Sequence, residues 1–121
     1  MQDETTWAAT KAQLSARLEH SGFMAHIGAV VDEIAPGSCT ISVARRPELL
    51  QALGYLHGGV IAFLIDNAVS IAAATLLRPG QAVLTAEFKV NFLAPARGAR
   101  ILSRGRVLKP GRTTTVAVAD V

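Results

Sequence analysis

At 121 residues, half of them hydrophobic and with a formal charge of +3, the chain has the size of one domain with its own core, and no second domain is expected within 1–121. Only 5% of the residues are aromatic, so that core must be built from closely packed Ala, Val, Ile and Leu. Cys39 is the single cysteine, which excludes an internal disulfide, and no Cys/His cluster has metal-ligand spacing; a metal-free chemistry in a reducing, cytoplasmic compartment is the simplest expectation.

The N-terminal stretch MQDETTWAATKAQLSARLEH is polar and acidic before a modest amphipathic helix. With neither a basic n-region nor an apolar h-region, it does not read as a secretory signal. His20 follows where that helix ends and suits the negative end of its dipole. A strand is expected over residues 24–34, with His26 near its start, then a Pro36-Gly37-Ser38 turn and a second strand beginning over 39–43. Cys39 has no evident adjacent base that would make it a nucleophile. The ARRPELLQ segment leads through a short helical turn into the loop before His57.

From Gly58 to Leu77 nearly every residue is apolar or small, without proline and rich in Ala and Leu, which predicts a helix of roughly 20 residues and about 30 Å. Gly58 and Gly59 fall in its first turn. The first N–H groups of a helix lack intrahelical partners and lie at the positive end of the macrodipole, so this terminus suits an anion or a developing oxyanion. Asp66 is the only formally charged residue in the helix. A carboxylate in apolar surroundings is the usual raw material for a general base or nucleophile, while the plainer alternative has Asp66 and Asn67 satisfying buried backbone groups or facing solvent. Gly59, Ala62, Asp66, Ser70 and Ala73 share one face, and all but the aspartate are small, which permits close approach of a second helix or a substrate. Asp66 and Asn67 near the middle would make the same segment costly as a membrane span.

Asp66 lies eight residues after Gly58, about 12 Å along the axis. Groups that act on one carbon must come within about 3 Å of the reacting atoms, so one helix does not bring both ends to one substrate. Two antiparallel copies related by a twofold axis place Asp66 of one against Gly58 of the other. The spacing therefore favours a symmetric dimer with two composite sites.

Over residues 82–93, Thr85, Glu87, Lys89 and Asn91 alternate with Leu84, Ala86, Phe88, Val90 and Phe92, a strong half-buried strand signal that puts Thr85 on the polar face. After Pro95 come a strand over 100–109, a Lys109-Pro110-Gly111 turn and a Thr/Val strand from Arg112 to the end. Residues 1–88 hold five Lys/Arg and eight Asp/Glu; residues 89–121 hold seven Lys/Arg and only Asp120. The balance moves from −3 to +6. Arg100, Arg104 and Arg106 share one strand face and Arg112 follows the turn, so a polyphosphate-bearing nucleotide is the partner this half suits. Nucleic acid is not, because no recognition motif or aromatic platform accompanies the charge.

The spacing Gln51-x-x-Gly54-x-x-His57-Gly58-Gly59, then Asp66, Thr85 and the Asn91-Phe92-Leu93-Ala94-Pro95 strand end, resembles the hotdog-fold acyl-CoA thioesterases of the phenylacetate-degradation-type (PaaI-like) group, from about residue 15 onward. The resemblance implies an α+β fold in which an antiparallel sheet wraps a long central helix, with active sites between subunits of a homodimer, assembled as a dimer of dimers (a homotetramer). It implies that the Gly58 N–H polarises the thioester carbonyl, and that Asp66 of the other subunit attacks the carbonyl carbon or activates water. Gln51 would orient the water or the carboxylate, His57 would position the carbonyl and the loop, and Thr85 would assist the water. Coenzyme A would enter as part of the substrate, held by Gly59 and the basic strand, Arg104, Arg106 and Arg112, with no further cofactor and no metal. Group members usually continue beyond the strand that ends here at Val121, so either the chain is trimmed or a terminal strand of the sheet is absent. Two other hotdog functions stand beside hydrolysis. A hydratase or dehydratase would need a His–Asp pair set for proton transfer, which the Gln51 and Asp66 positions speak against; a non-catalytic acyl-CoA-binding domain would release no thiol.

Overall fold

The computed structural model describes residues 3–121; Met1 and Gln2, which open the polar N-terminal stretch, lie outside the described residues. Helix α1 (Glu4–Leu18) starts at Asp3, whose Oδ1 accepts the Thr6 N–H at 2.7 Å. This capping bond, made to the ionised form, holds the Asp3 carboxyl below its usual range. Leu14 is the buried residue of α1.

The expected strand over 24–34 is half wrong. Its first part is a second helix, α2 (Gly22–Ile27), capped by the Ser21 hydroxyl, which accepts the Met24 N–H at 3.4 Å. Gly28 ends it at φ +79°, with its N–H directed to Met24 O and Ala25 O. A left-handed stop of this kind costs glycine nothing, and together with the serine cap it outweighs the apolar run through Ile27. His26 consequently sits in the last turn of α2, not in a strand.

Strand β1 (Ala29–Ala35) turns through Pro36 and Gly37 into β2 (Ser38–Ala44), and a single 3₁₀ turn, Pro47–Leu49, leads to the loop before His57. Helix α3 (Gly58–Ala74) follows, then β3 (Arg100–Lys109) and β4 (Val116–Asp120). The four strands form one antiparallel sheet in the order β1-β2-β3-β4. In the register Cys39↔Gly105, Ile41↔Ser103, Val43↔Ile101, all six residues are buried. They face α3, whose Val60, Leu64, Ala68, Ile71 and Ala72 complete the core. This is the α+β arrangement the pattern implies: one apolar sheet face against one helix.

The closest approach in that layer is at Gly105. A Cβ built there would lie 2.7 Å from the backbone C and O of Ala68 and 3.0 Å from its Cβ. Helix backbone thus rests on strand backbone, and only the pairing of glycine with alanine allows it. At the other end, α3 stops at Ala74, short of the expected Leu77, with Thr75 as its C-cap. The buried Thr75 hydroxyl donates to Ala72 O at 2.6 Å and accepts the Gly37 N–H at 2.7 Å, which pins the β1–β2 turn to the helix end.

The alternating stretch over 82–93 makes no strand pairing among the described residues. Alternation selects a face but hydrogen bonding needs a neighbouring edge, and here a cavity of about 1630 Å³, lined by residues of both segments, separates this stretch from β4. Its apolar side chains stay open, Leu84 and Leu93 each 92% exposed.

The contact at Gly105 is directly testable. Gly105→Ala must push α3 off the sheet, and overpacking of this kind costs about 1–3 kcal/mol. A melting temperature lower by about 4 °C or more is expected in thermal unfolding followed by circular dichroism. An unchanged melting temperature would show that the helix has slack there.

Candidate active site

The loop ahead of α3 is folded on its own backbone. The Gln51 N–H donates to Tyr55 O at 2.8 Å and the Gly54 N–H to Gln51 O at 2.9 Å, while the Arg45 guanidinium donates to Gly54 O at 2.7 Å. The Gln51 side-chain carbonyl accepts the Leu53 N–H, and its amide NH₂ has no hydrogen-bond partner among the described residues. Gln51 therefore presents donors to whatever enters.

His57 is the N-cap of α3, an unusual residue for that position. Its backbone N–H is held by Leu49 O at 2.8 Å, and its Nδ1 accepts the Gly59 N–H at 2.8 Å. With Nδ1 occupied as an acceptor, the neutral imidazole carries its proton on Nε2. His57 thus consumes the Gly59 amide, and the N–H of Gly58 is left without a partner among the described residues. Gly58 and Gln51 line one cleft of about 360 Å³ with Tyr55, Leu56, Ile61 and Phe92. An unpaired amide at a helix N-terminus is the donor an oxyanion needs.

Asp66 is elsewhere. It precedes Ala68 by two residues, which turns it about 160° around the helix from the contact with the sheet. On that far side the Thr85 hydroxyl donates to Asp66 Oδ1 at 2.7 Å, and Ser70 Oγ stands 3.1 Å from Thr85 Oγ1. Since the Thr85 proton is committed to the carboxylate, Ser70 is the donor to Thr85. The result is a chain of hydroxyls ending on the acid. Thr85 reaches Asp66 from a stretch that forms no strand among the described residues, so the parity expected of a strand does not decide its direction. Ser70 is absent from the expected site residues, although its position four residues after Asp66 was the available signal.

Arg104 and Arg106 flank the inward-facing Gly105 and so point away from α3, both exposed; Arg112 is exposed in the loop before β4. Arg104 stands opposite Asp120 in the register. Arg100 donates to the buried Ser42 Oγ at 2.6 Å. Within one chain, then, the residues fall into three groups: Gln51, His57, Gly58 and Gly59 at the helix start; Asp66, Thr85 and Ser70 at its middle; and the arginines on the outer sheet face and in the loop before β4.

The thioesterase superfamily profile matches residues 53–121. A thioesterase family protein of Silicibacter pomeroyi of known structure is 40% identical, with a TM-score of 0.87 over 93% of this chain and 81% of its own. The 1,4-dihydroxy-2-naphthoyl-CoA hydrolase of Listeria monocytogenes is 28% identical over 78% of this chain and 77% of its length. Human acyl-coenzyme A thioesterase 13 is 31% identical over 72% of this chain, which spans only 62% of that protein. The Escherichia coli PaaI protein, 18% identical, shares the fold with a TM-score of 0.77 over 91% of this chain and 88% of its own. The chain belongs to the thioesterase superfamily, as a hotdog-fold thioester hydrolase, and it shares its fold with the PaaI protein. Among the described residues, no helix is long and apolar enough to cross a membrane.

Cys39 stands outside this chemistry. It is 2% exposed, and burial, with the negative Asp32 adding to it, pushes its thiol from 9.0 up to about 12. A thiol whose folded pKa is raised lends stability that is fully present below the unfolded value and is lost as pH climbs from about 9 towards 12. Wild type should therefore lose stability relative to Cys39→Ala as denaturant unfolding is repeated from pH 8 to pH 11. Parallel pH profiles would mean that the thiol ionises as easily folded as unfolded.

Proposed function

We propose that this chain, a single hotdog domain over 1–121, hydrolyses acyl-CoA thioesters at composite sites between two copies. In each site one copy supplies the helix start and the other supplies the acid. The observation that carries this reading is the division of labour along α3: an unpartnered Gly58 N–H with Gln51 in one cleft, and a hydroxyl-supported carboxylate at Asp66 about 12 Å away on the side of the helix turned from the sheet. A twofold pairing of antiparallel helices through that face unites them.

In this mechanism the thioester carbonyl oxygen accepts from the Gly58 N–H at the positive helix end, which stabilises the negative charge that develops there. Asp66 Oδ2, free of the Thr85 bond, attacks the carbonyl carbon or takes a proton from the attacking water. The Gln51 NH₂ orients the water or the carboxylate, and Thr85 and Ser70 fix the rotamer of the acid. His57 holds the first turn in shape through Gly59. Collapse of the tetrahedral intermediate expels the coenzyme A thiolate, giving the free acid directly when water attacks, or an Asp66 mixed anhydride that water then cleaves to the acid and the free carboxylate. Gly59 gives the ligand close access to backbone, while Arg104, Arg106 and Arg112 hold its phosphates. The relatives named for CoA thioesters support this substrate class. The reaction needs no cofactor beyond the coenzyme A that the substrate brings, and a cytoplasmic setting suits the lone thiol of Cys39. The engagement of His57 Nδ1 by Gly59 weighs against the hydratase alternative, since that nitrogen is not available to an acid partner.

Two experiments test it. Asp66→Asn keeps the shape and removes the base or nucleophile, so acyl-CoA turnover, read as thiol release, should fall at least about 100-fold while the fold and analogue binding persist. Near wild-type turnover would exclude the catalytic role. Separately inactive Gln51→Ala and Asp66→Ala should complement when refolded together, because a mixed dimer has one doubly defective and one intact site. One-to-one mixing makes half the dimers mixed, so about a quarter of wild-type activity should return. Verified mixed dimers as inactive as their parents would place each site within one chain.

A further inference from the structure

We infer that Phe92 is the residue that limits the size of the acyl group accepted beside the Gly58 amide. The inference rests on the thioesterase reading above and adds a specificity determinant to it. The ring of Phe92 reaches the first turn of α3: its Cε1 and Cζ lie 3.3 and 3.4 Å from where a Cβ on Gly58 would stand. A carbonyl oxygen accepting from the Gly58 N–H brings its own carbon to within about 3–4 Å of that turn. The acyl atoms next to the carbonyl then come up against the Phe92 ring edge, with no side chain on residues 58 and 59 to intervene.

Two rings wall this cleft, and they are held differently. Tyr55 is fixed from behind: the Arg97 guanidinium lies 5.2 Å from its ring centroid and donates to its hydroxyl at 3.4 Å. Phe92 has no such anchor. It is 60% exposed, lies outside the core cluster and is borne by the stretch that lacks strand partners. The cleft itself, about 360 Å³, is at the small end for a ligand site. Its pinned wall sets the width, and the unanchored ring sets how much bulk fits past the carbonyl. Because Phe92 contributes to no buried cluster, its truncation enlarges the cleft without opening the core.

The test uses the full chain and a straight-chain acyl-CoA series from acetyl to dodecanoyl, comparing kcat/KM for wild type, Phe92→Ala and Phe92→Trp. Phe92→Ala should raise the ratio of long-chain to acetyl kcat/KM by at least about tenfold, the lower end of what one methylene's fit is worth in an apolar pocket. Phe92→Trp should lower the same ratio, and circular dichroism should show both variants folded. An unchanged ratio in both variants, or an equal loss on every substrate, overturns the role of Phe92. Wild type inactive across the series would instead overturn the hydrolase mechanism, and the proposal is then read from binding of non-hydrolysable thioether analogues of the same lengths. A shift of length preference in binding upholds it, and an unshifted one overturns it.

Discussion

Backbone resting on backbone, where Gly105 of β3 meets Ala68 of α3, is the constraint on which the remaining geometry depends. A contact of side chains would let the helix roll by repacking. One of main chain against main chain fixes both its height over the sheet and its rotation. With Ala68 held down, Asp66 must face away, and the first turn must present Gly58 at the edge of the loop folded around Gln51. Around that contact the core is filled by aliphatic side chains, Ile41, Val43, Leu64 and Ile71 among them, packed between the two layers.

The two ends of the chemistry are prepared by different means. At the helix start the preparation is subtractive: His57 takes up the Gly59 amide and leaves its neighbour free, so a residue normally considered for proton transfer acts here as a cap. At the middle it is additive, with the Thr85 hydroxyl on one oxygen of the carboxylate and the Ser70 hydroxyl on Thr85 behind it. Each of these two groups is held by hydrogen bonds within one chain. Preorganised dipoles of this kind need little rearrangement as charge develops, which is why they contribute strongly to catalysis.

The legible parts of the sequence were those governed by one strong local rule. Continuous Ala, Leu and Ile without proline announced α3, and β3 ran over the expected 100–109 because alternation there coincided with a real neighbouring edge. Residues 24–27 misled because an apolar run fits a short helix as well as a strand, and the choice lay with Ser21 and Gly28 on either side. Residues 82–93 carried the pattern of a strand without its pairing, which sequence alone does not supply. Within the candidate site, Gln51, His57 and Gly58 were readable as one spacing. Ser70 looked like one more small residue on a helix face, and its hydroxyl gained meaning only when the fold carried Thr85 across to meet it. Tyr55 gave no signal, and Phe92 stood in the strand-end motif without showing which turn its ring touches.

The row of hydroxyls beside Asp66 also has a direction. Ser70 donates to Thr85 and Thr85 to Oδ1, so every hydrogen along the row points inward to the carboxylate. A proton arriving on Oδ1 would confront the hydrogen already there and force both rotors to turn over. Oδ1 is thereby committed as an anchor, and in the proposed reaction Oδ2 is the oxygen left to work.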